Sequence, residues 1–135
     1  MSEAKSFFDT NVVLYLLSGD REKADRAESL LAAGGVISVQ VLNEFVAVAR
    51  RKLAMSWPEI HEVLQILRSL CEVRPLELES HELALFIAER HGFSIYDAMI
   101  LASAQHAGCQ VVFTEDLQHR QLINQRLTVI NPFLE

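Results

Sequence analysis

The sequence is poor in the residues that crosslink, interrupt or anchor a small protein. Its 135 residues include two cysteines and three prolines, too few for a disulfide scaffold or a low-complexity chain. Cys71 and Cys109 stand in apolar surroundings at no metal-binding spacing, which favours buried free thiols over a disulfide. No apolar run reaches the roughly 18 residues of a membrane span, and the N-terminus lacks a signal-peptide pattern. We therefore expect a cytoplasmic protein with no membrane segment.

Positive charge is also scarce. Eighteen acidic residues outnumber twelve lysines and arginines, for a formal net charge of −6. A protein that grips nucleic acid mainly by charge needs clustered lysine and arginine, and the one basic run here is Arg50-Arg51-Lys52. These basic residues either interact favourably with the C-terminal end of a helix dipole or steer RNA towards the protein. The acidic excess fits a clustered acidic site neutralised by metal, or a basic partner segment.

Hydrophobic residues make up 50% of the chain, enough for a single domain over residues 1–135 with a substantial core. The pattern predicts strands at residues 5–8, 36–38, 110–113 and 127–130, with a strand or extended link at 72–76. It predicts helices at about 12–17, 20–33, 39–53, 58–70, 80–90, 94–107 and 117–124. Strands that alternate with helices indicate an α/β fold, with a central, mostly parallel β-sheet flanked by helices on both faces.

Four carboxylates lie at or near the junctions between these strands and helices. They are Asp9, Glu44, Asp97 and Asp116. In a parallel α/β sheet such junctions gather along one edge, outside the carboxyl ends of the strands. Carboxylate oxygens suit Mg²⁺ or Mn²⁺, and without a cation some of the crowded acids would stay protonated. The pattern predicts a divalent-metal site and metal-assisted phosphodiester chemistry.

Three of these acids also have a purely structural interpretation. Asp9 fits an Asx turn or the cap of the next helix. Asp97 fits a capping box in which Ser94 is the N-cap. Asp116 fits the cap of the predicted helix that begins at Leu117. Each interpretation accounts for one residue alone, whereas the metal site accounts for all of the acids together.

Glu44 is harder to explain structurally, because it lies inside a helix beside an apolar arc and caps nothing. Its alternative role is a solvated flank near Arg51, or a salt bridge. Small polar residues stand next to the acids at Thr10, Asn11 and Thr114. Such residues are suited to orienting carboxylates or a metal-bound water.

Taken in order, four segments of the chain resemble the PIN domain, most closely the VapC type, the toxin half of bacterial and archaeal toxin–antitoxin pairs. The segments are Phe7-Phe8-Asp9-Thr10-Asn11, Asn43-Glu44-Phe45, Tyr96-Asp97-Ala98 and Val112-Phe113-Thr114-Glu115-Asp116-Leu117. No single segment is specific, but four in the right order over nearly the whole chain are quite specific.

The resemblance implies a PIN-like fold and a Mg²⁺- or Mn²⁺-dependent endoribonuclease that uses a metal-activated water. It assigns the metal-binding and catalytic roles to Asp9, Glu44, Asp97 and Asp116, with Asn11 and Thr114 in support. The implied substrate is structured RNA, such as tRNA or an rRNA loop. The implied partners are a second copy of the chain and a cognate antitoxin whose tail covers the site.

Two questions stay open at this point. The first is whether Glu115, which adjoins Asp116, also contacts the metal. The second is whether the protein cuts RNA at all, because a catalytically silent PIN-like module that binds RNA or protein is the alternative. The intact set of four acids favours the enzyme.

Overall fold

The structure, a computed structural model, describes residues 5–134; residues 1–4 and 135 of the predicted domain lie outside this range. The strands are β1 (Ser6–Phe8), β2 (Gly35–Ser38), β3 (Cys71–Arg74), β4 (Val111–Phe113), β5 (Leu122–Ile123) and β6 (Leu127–Ile130). The helices are α1 (Thr10–Leu14), α2 (Arg21–Ala32), α3 (Val39–Arg51), α4 (Trp57–Leu70), α5 (Leu78–His91) and α6 (Ile95–His106). A 3₁₀ turn over Tyr15–Leu17 continues α1.

The strands form one sheet in the order β3-β2-β1-β4-β6-β5. All neighbouring strands are parallel except β5 and β6. Successive residues of a strand face opposite sides of the sheet, yet Phe7 and Phe8 are both buried, as are Val36 and Ile37. Helices therefore cover both faces, and the predicted α/β fold with a mostly parallel sheet is confirmed.

Two serines determine where the functionally important helices begin. The side chain of Ser38 accepts a hydrogen bond from the backbone N–H of Val41 at the start of α3. Ser94 accepts one from the N–H of Asp97 at the start of α6. Such N-caps satisfy backbone donors that the first turn of a helix leaves free. Gly92, in the left-handed conformation with φ 74°, ends α5 and separates it from α6.

Helix α6 connects the sheet to its outer helix layer. It packs against α5 and contacts β2, β4 and β6. Its side chains Ile100, Leu101 and Ala104 are all buried. Burying each such Ile or Leu stabilises the fold by about 1.5–3 kcal/mol. Asp97 lies one turn before Ile100 and Leu101, so the same packing holds its position.

The predicted helix at residues 117–124 is wrong. Bends and turns follow Asp116, and β5 then pairs antiparallel with β6. The connection between them places Asn124 and Gln125 at φ 52° and 59°, both left-handed, as in a type I′ turn. Arg126 N–H closes it on the carbonyl of Ile123. Pairing with β6 has overridden the local helix propensity of this segment.

The two cysteines are buried and free, as predicted. Within residues 5–134, no helix combines the length and the apolar character that crossing a membrane requires.

Candidate active site

The register of the two central strands brings Asp9 and Thr114 together. Phe8 of β1 pairs with Phe113 of β4, and the backbone N–H of Asp9 donates to the Phe113 carbonyl at 3.0 Å. Asp9 directly follows β1 and Thr114 directly follows β4, so both lie at the crevice beyond the carboxyl ends of these strands. This is the topological switch point, because β2 and β4 lie on opposite sides of β1, and ligands bind at such crevices in open α/β sheets.

Asp9 is held through both of its carboxylate oxygens. Oδ1 accepts a 2.7 Å hydrogen bond from the N–H of Thr10, so Asp9 does cap α1, as its structural interpretation required. Oδ2 accepts from the Thr114 hydroxyl at 2.8 Å and from the Asn11 amide at 3.4 Å. Asp9 is only 6% exposed. Capping therefore uses one oxygen and leaves the other in a polar network across the crevice.

Burial raises the pKa of Asp9 from 3.8 to about 6. Hydrogen bonds from Thr114 and Thr10 oppose this rise, while the negative charges of Asp116 and Glu44 add to it. Desolvation disfavours the charged form of a carboxyl, and neighbouring like charges act in the same direction. A cation near Asp9 would relieve both effects.

Asn11 connects Asp9 with Asp116. Its amide nitrogen donates to Thr114 Oγ1 at 3.1 Å and to Asp116 Oδ2 at 2.9 Å. Its carbonyl oxygen accepts from the backbone N–H of Glu115 at 3.3 Å. The predicted capping role of Asp116 is wrong, because the part of the chain described after it, residues 117–134, contains strands and turns and no helix.

Helix α3 contributes Glu44 to the site. Its Oε1 accepts from the Thr10 hydroxyl at 2.5 Å, and its Oε2 accepts from Gln40 at 3.5 Å. Gln40 also donates to the carbonyl of Tyr96 at 3.2 Å, which ties α3 to α6. None of the salt bridges between described residues involves Glu44. The sequence analysis missed Gln40, although its place four residues before Glu44, on the same helix face, was an available signal.

Asp97 is the third residue of α6. Ser94 accepts from its N–H at 3.1 Å, but the contacts of residues 5–134 do not include the reciprocal bond of a capping box. Within the described range, Ser94 and Asp97 thus do not form a complete capping box. Burial raises the pKa of Asp97, and the negative charges of Asp116 and Glu44 raise it further. A hydrogen bond with Ser94 opposes this rise.

All four predicted acids line a single cavity of about 320 Å³. Asn11 lines it as well, while Thr114 lies beneath, fully buried and bonded to Asp9. Arg51 also lines the cavity, and Glu115 does not. The structure therefore brings together the four acids, Asn11 and Thr114, from segments separated by up to 107 positions (Asp116 minus Asp9).

The donor set fits a hard divalent cation, since the side chains are carboxylates, an amide and hydroxyls. The buried Asp9, whose pKa is raised to about 6, is the group that such a cation would stabilise most. Across residues 5–134, no three His, Cys, Asp or Glu side chains are grouped closely enough to hold a metal ion together. The acids surround the cavity without forming a closed cage.

The fold and the acidic crevice define a class of α/β proteins with a carboxylate site at the switch point of a parallel sheet. The family model of the PIN domain matches residues 6–123. The chain belongs to the PIN domain family. No curated protein sequence matches it significantly.

Solved structures share this fold. A chain of a toxin–antitoxin complex from Klebsiella pneumoniae is 22% identical with a TM-score of 0.73, over 96% of this chain and 98% of that one. A chain of DNA-bound VapBC from Salmonella typhimurium is 23% identical with a TM-score of 0.69, over 94% and 97%. Mycobacterium tuberculosis VapC20, a toxin that cleaves the sarcin–ricin loop, is 22% identical with a TM-score of 0.63, over 80% and 87%.

Proposed function

We propose that this protein is a Mg²⁺- or Mn²⁺-dependent endoribonuclease and the toxin of a type II toxin–antitoxin pair. One observation carries the proposal: four acids from distant segments line one cavity at the switch point of a PIN fold. They are Asp9, Glu44, Asp97 and Asp116. Burial in this crevice, and to a smaller extent repulsion between the acids, raises the pKa of Asp9 and Asp97, a cost to folding that a bound cation would offset.

The four carboxylates are the proposed metal ligands, with Asp9 at their centre because it is the most buried of them. A divalent ion held there would activate a water for attack on a phosphodiester and neutralise charge on the attacking and leaving oxygens. The supporting residues orient the ligands. Thr114 and Asn11 hold Asp9, Asn11 also holds Asp116, and Thr10 holds Glu44.

The proposed substrate is a structured RNA, either a tRNA or a loop of rRNA. VapC20, which shares the fold, is a toxin that cleaves the sarcin–ricin loop. The proposed partners are a second copy of the chain, in a homodimer, and a cognate antitoxin, and the proposed location is the cytoplasm. Structures with this fold include toxin–antitoxin complexes, and an acid-lined cavity is complementary to a basic segment of an antitoxin.

The test is cleavage of a mixture of tRNA and rRNA by the purified chain, with Mg²⁺ or with EDTA. Asp97→Asn is the inactivating variant. Asp25→Asn is the matched control, because Asp25 is exposed on α2 and outside the cavity, and the change in charge is the same. We expect discrete cuts that need Mg²⁺, persist in Asp25→Asn and vanish in Asp97→Asn. The products should carry 5′-phosphate and 3′-hydroxyl ends, because water is the nucleophile.

Two other outcomes would contradict the proposal. Unchanged turnover by Asp97→Asn would remove Asp97 from the site. RNA binding without any cleavage, in Mg²⁺ or Mn²⁺ and with every RNA in the mixture, would favour the silent binding module. Expression in cells gives a second readout, since growth arrest should occur with the wild type and not with Asp97→Asn.

A further inference from the structure

The basic run Arg50-Arg51-Lys52 divides into residues with different surroundings. Arg50 Nη1 donates to the carbonyl of Met55 at 2.9 Å, and its guanidinium carbon lies 4.6 Å from the centre of the Trp57 ring. Arg50 therefore joins the end of α3 to the start of α4 through a hydrogen bond and a cation–π contact. Lys52 is the exposed C-cap residue of α3.

Arg51 lies on a different face of the helix and lines the acidic cavity. The residues that α3 contributes to the cavity are Gln40, Glu44, Ala47, Val48 and Arg51. Their spacing of three or four residues is that of one helical stripe. Arg51 follows Glu44 by two turns, which places the two backbone positions about 10 Å apart.

Among the described residues, 5–134, the guanidinium of Arg51 forms no hydrogen bond and no salt bridge. Arg51 is also the one lysine or arginine among the described residues that line this cavity, and the other charged residues there are the four carboxylates. A fixed positive charge at the end of an acidic cavity is suited to an anionic group of whatever enters it.

A phosphate is the anion that best matches these features. Guanidinium groups bind phosphate oxygens with two parallel hydrogen bonds. The protein carries a net charge of −6, so it needs local positive charge wherever an RNA backbone approaches. Two helical turns separate Arg51 from the proposed metal ligand Glu44, so a phosphate bound by Arg51 would be a neighbour of the one being cut.

We infer that Arg51 binds a backbone phosphate of the RNA adjacent to the scissile phosphodiester. Arg51 is then a substrate-binding residue that sets the direction in which the strand crosses the cavity. The inference rests on the proposed function for the identity of the reacting phosphate. The test measures RNA binding under conditions in which no cleavage occurs. A failure of this inference is therefore distinguishable from a failure of the nuclease proposal.

The experiment compares Arg51→Ala with wild type, and Lys52→Ala is the matched control with the same loss of charge one residue further on. The probe is a fluorescein-labelled, mixed-sequence 12-nucleotide RNA, with Ca²⁺ in place of Mg²⁺, and binding is followed by fluorescence anisotropy over a range of KCl concentrations. We expect Arg51→Ala to weaken binding about tenfold at low salt. The slope of log K against log [KCl] should fall by about 0.7, the value for one lost contact to a single-stranded phosphate. Arg51→Lys should recover part of the affinity, and Lys52→Ala should stay close to wild type.

In cleavage assays, the same Arg51→Ala change should raise KM about tenfold while kcat stays within about threefold, since uniform binding is lost and not transition-state stabilisation. Equal weakening of RNA binding by Arg51→Ala and Lys52→Ala would overturn the inference, because it would mark a general charge effect. Wild-type affinity in Arg51→Ala, or a wild type that does not bind the RNA, would also overturn it. A second binding assay uses poly-L-glutamate as the ligand. If Arg51→Ala no longer binds poly-L-glutamate but binds RNA as tightly as the wild type does, Arg51 contacts an acidic protein segment instead, and the inference fails.

Discussion

The phenol of Tyr15 donates a 2.6 Å hydrogen bond to Glu115, and this bond holds Glu115 outside the cavity that its neighbour Asp116 lines. Lys23 Nζ lies 3.8 Å from the second carboxylate oxygen of Glu115. The backbone N–H of Glu115 meanwhile donates to the Asn11 carbonyl, so the Asn11 amide nitrogen faces Asp116. Two adjacent acids thus occupy separate networks.

This separation predicts different outcomes for substitutions at the two positions. Glu115→Gln keeps an acceptor for Tyr15 and loses a partly exposed ion pair with Lys23, which contributes little. Its cleavage rate should stay within about threefold of wild type. Asp116→Asn removes a proposed metal ligand and should lower the rate about a hundredfold or more. Rates measured side by side at saturating Mg²⁺ decide the matter, and equal losses would mean that Glu115 also serves the metal.

Asp9→Asn should stabilise the metal-free protein at neutral pH. Because the pKa of Asp9 is raised from 3.8 to about 6 in the folded state, the folded form binds this proton more tightly than the unfolded form. The ionised side chain therefore destabilises the fold above about pH 6, and the penalty disappears below about pH 4. A difference of about two pKa units corresponds to about 3 kcal/mol.

Urea unfolding in EDTA at pH 4, 5.5 and 7 measures this effect. The advantage of Asp9→Asn over wild type should be largest at pH 7 and small at pH 4. Added Mg²⁺ should raise the stability of wild type more than that of the variant, because a ligand of the folded state stabilises it by mass action. A variant that is equally destabilised at every pH would show that lost hydrogen bonds outweigh the charge.

Gly35 is required where β2 passes β1. A Cβ atom added there would lie 2.5 Å from Phe8 Cε2 and 2.7 Å from the carbonyl oxygen of Ser6. Gly35→Ala should therefore lower the free energy of unfolding by about 1–3 kcal/mol, and the shift of Phe8 should also disturb Asp9. Gly19→Ala is the control, since nothing lies within 4 Å of its added Cβ. The free energy of unfolding is measured by urea denaturation of both variants. Equal unfolding midpoints for Gly35→Ala and Gly19→Ala would contradict the predicted clash.

Both thiols should be unreactive in the folded protein. Burial raises the pKa of Cys71 to about 11. It does the same for Cys109, where the charge of Lys5 opposes the rise. At pH 8 only about one thiol in a thousand is then ionised, and the thiolate is the reactive form. Ellman's reagent should therefore label two thiols in denaturant and almost none without it; rapid labelling of the native protein would show an opening not present in this structure.

Much of the fold could be predicted from local sequence patterns. The apolar pairs Phe7-Phe8 and Val36-Ile37 marked buried strands, and Ser94 marked the start of the helix that carries Asp97. The four acids could be selected because each follows a strand or lies on the inner side of a helix. The segment at 117–124 was predicted wrongly as a helix, because its pairing with β6 is a tertiary contact that outweighs helix propensity.

Caps and apolar periodicity depend on residues within one or two turns of each other, so the chain order of the elements, their inner faces and the motifs of the PIN domain are set by the linear sequence. The site itself depends on contacts between distant segments. The bond from Thr114 to Asp9 joins residues 105 positions apart, and it forms because β1 and β4 are neighbours in register. Whether Glu115 or Asp116 faces the cavity, and whether Arg50 or Arg51 does, was decided by the packing of Tyr15 and Trp57 against those side chains. Neighbouring residues of one type look alike in sequence, and only their surroundings in three dimensions distinguish them.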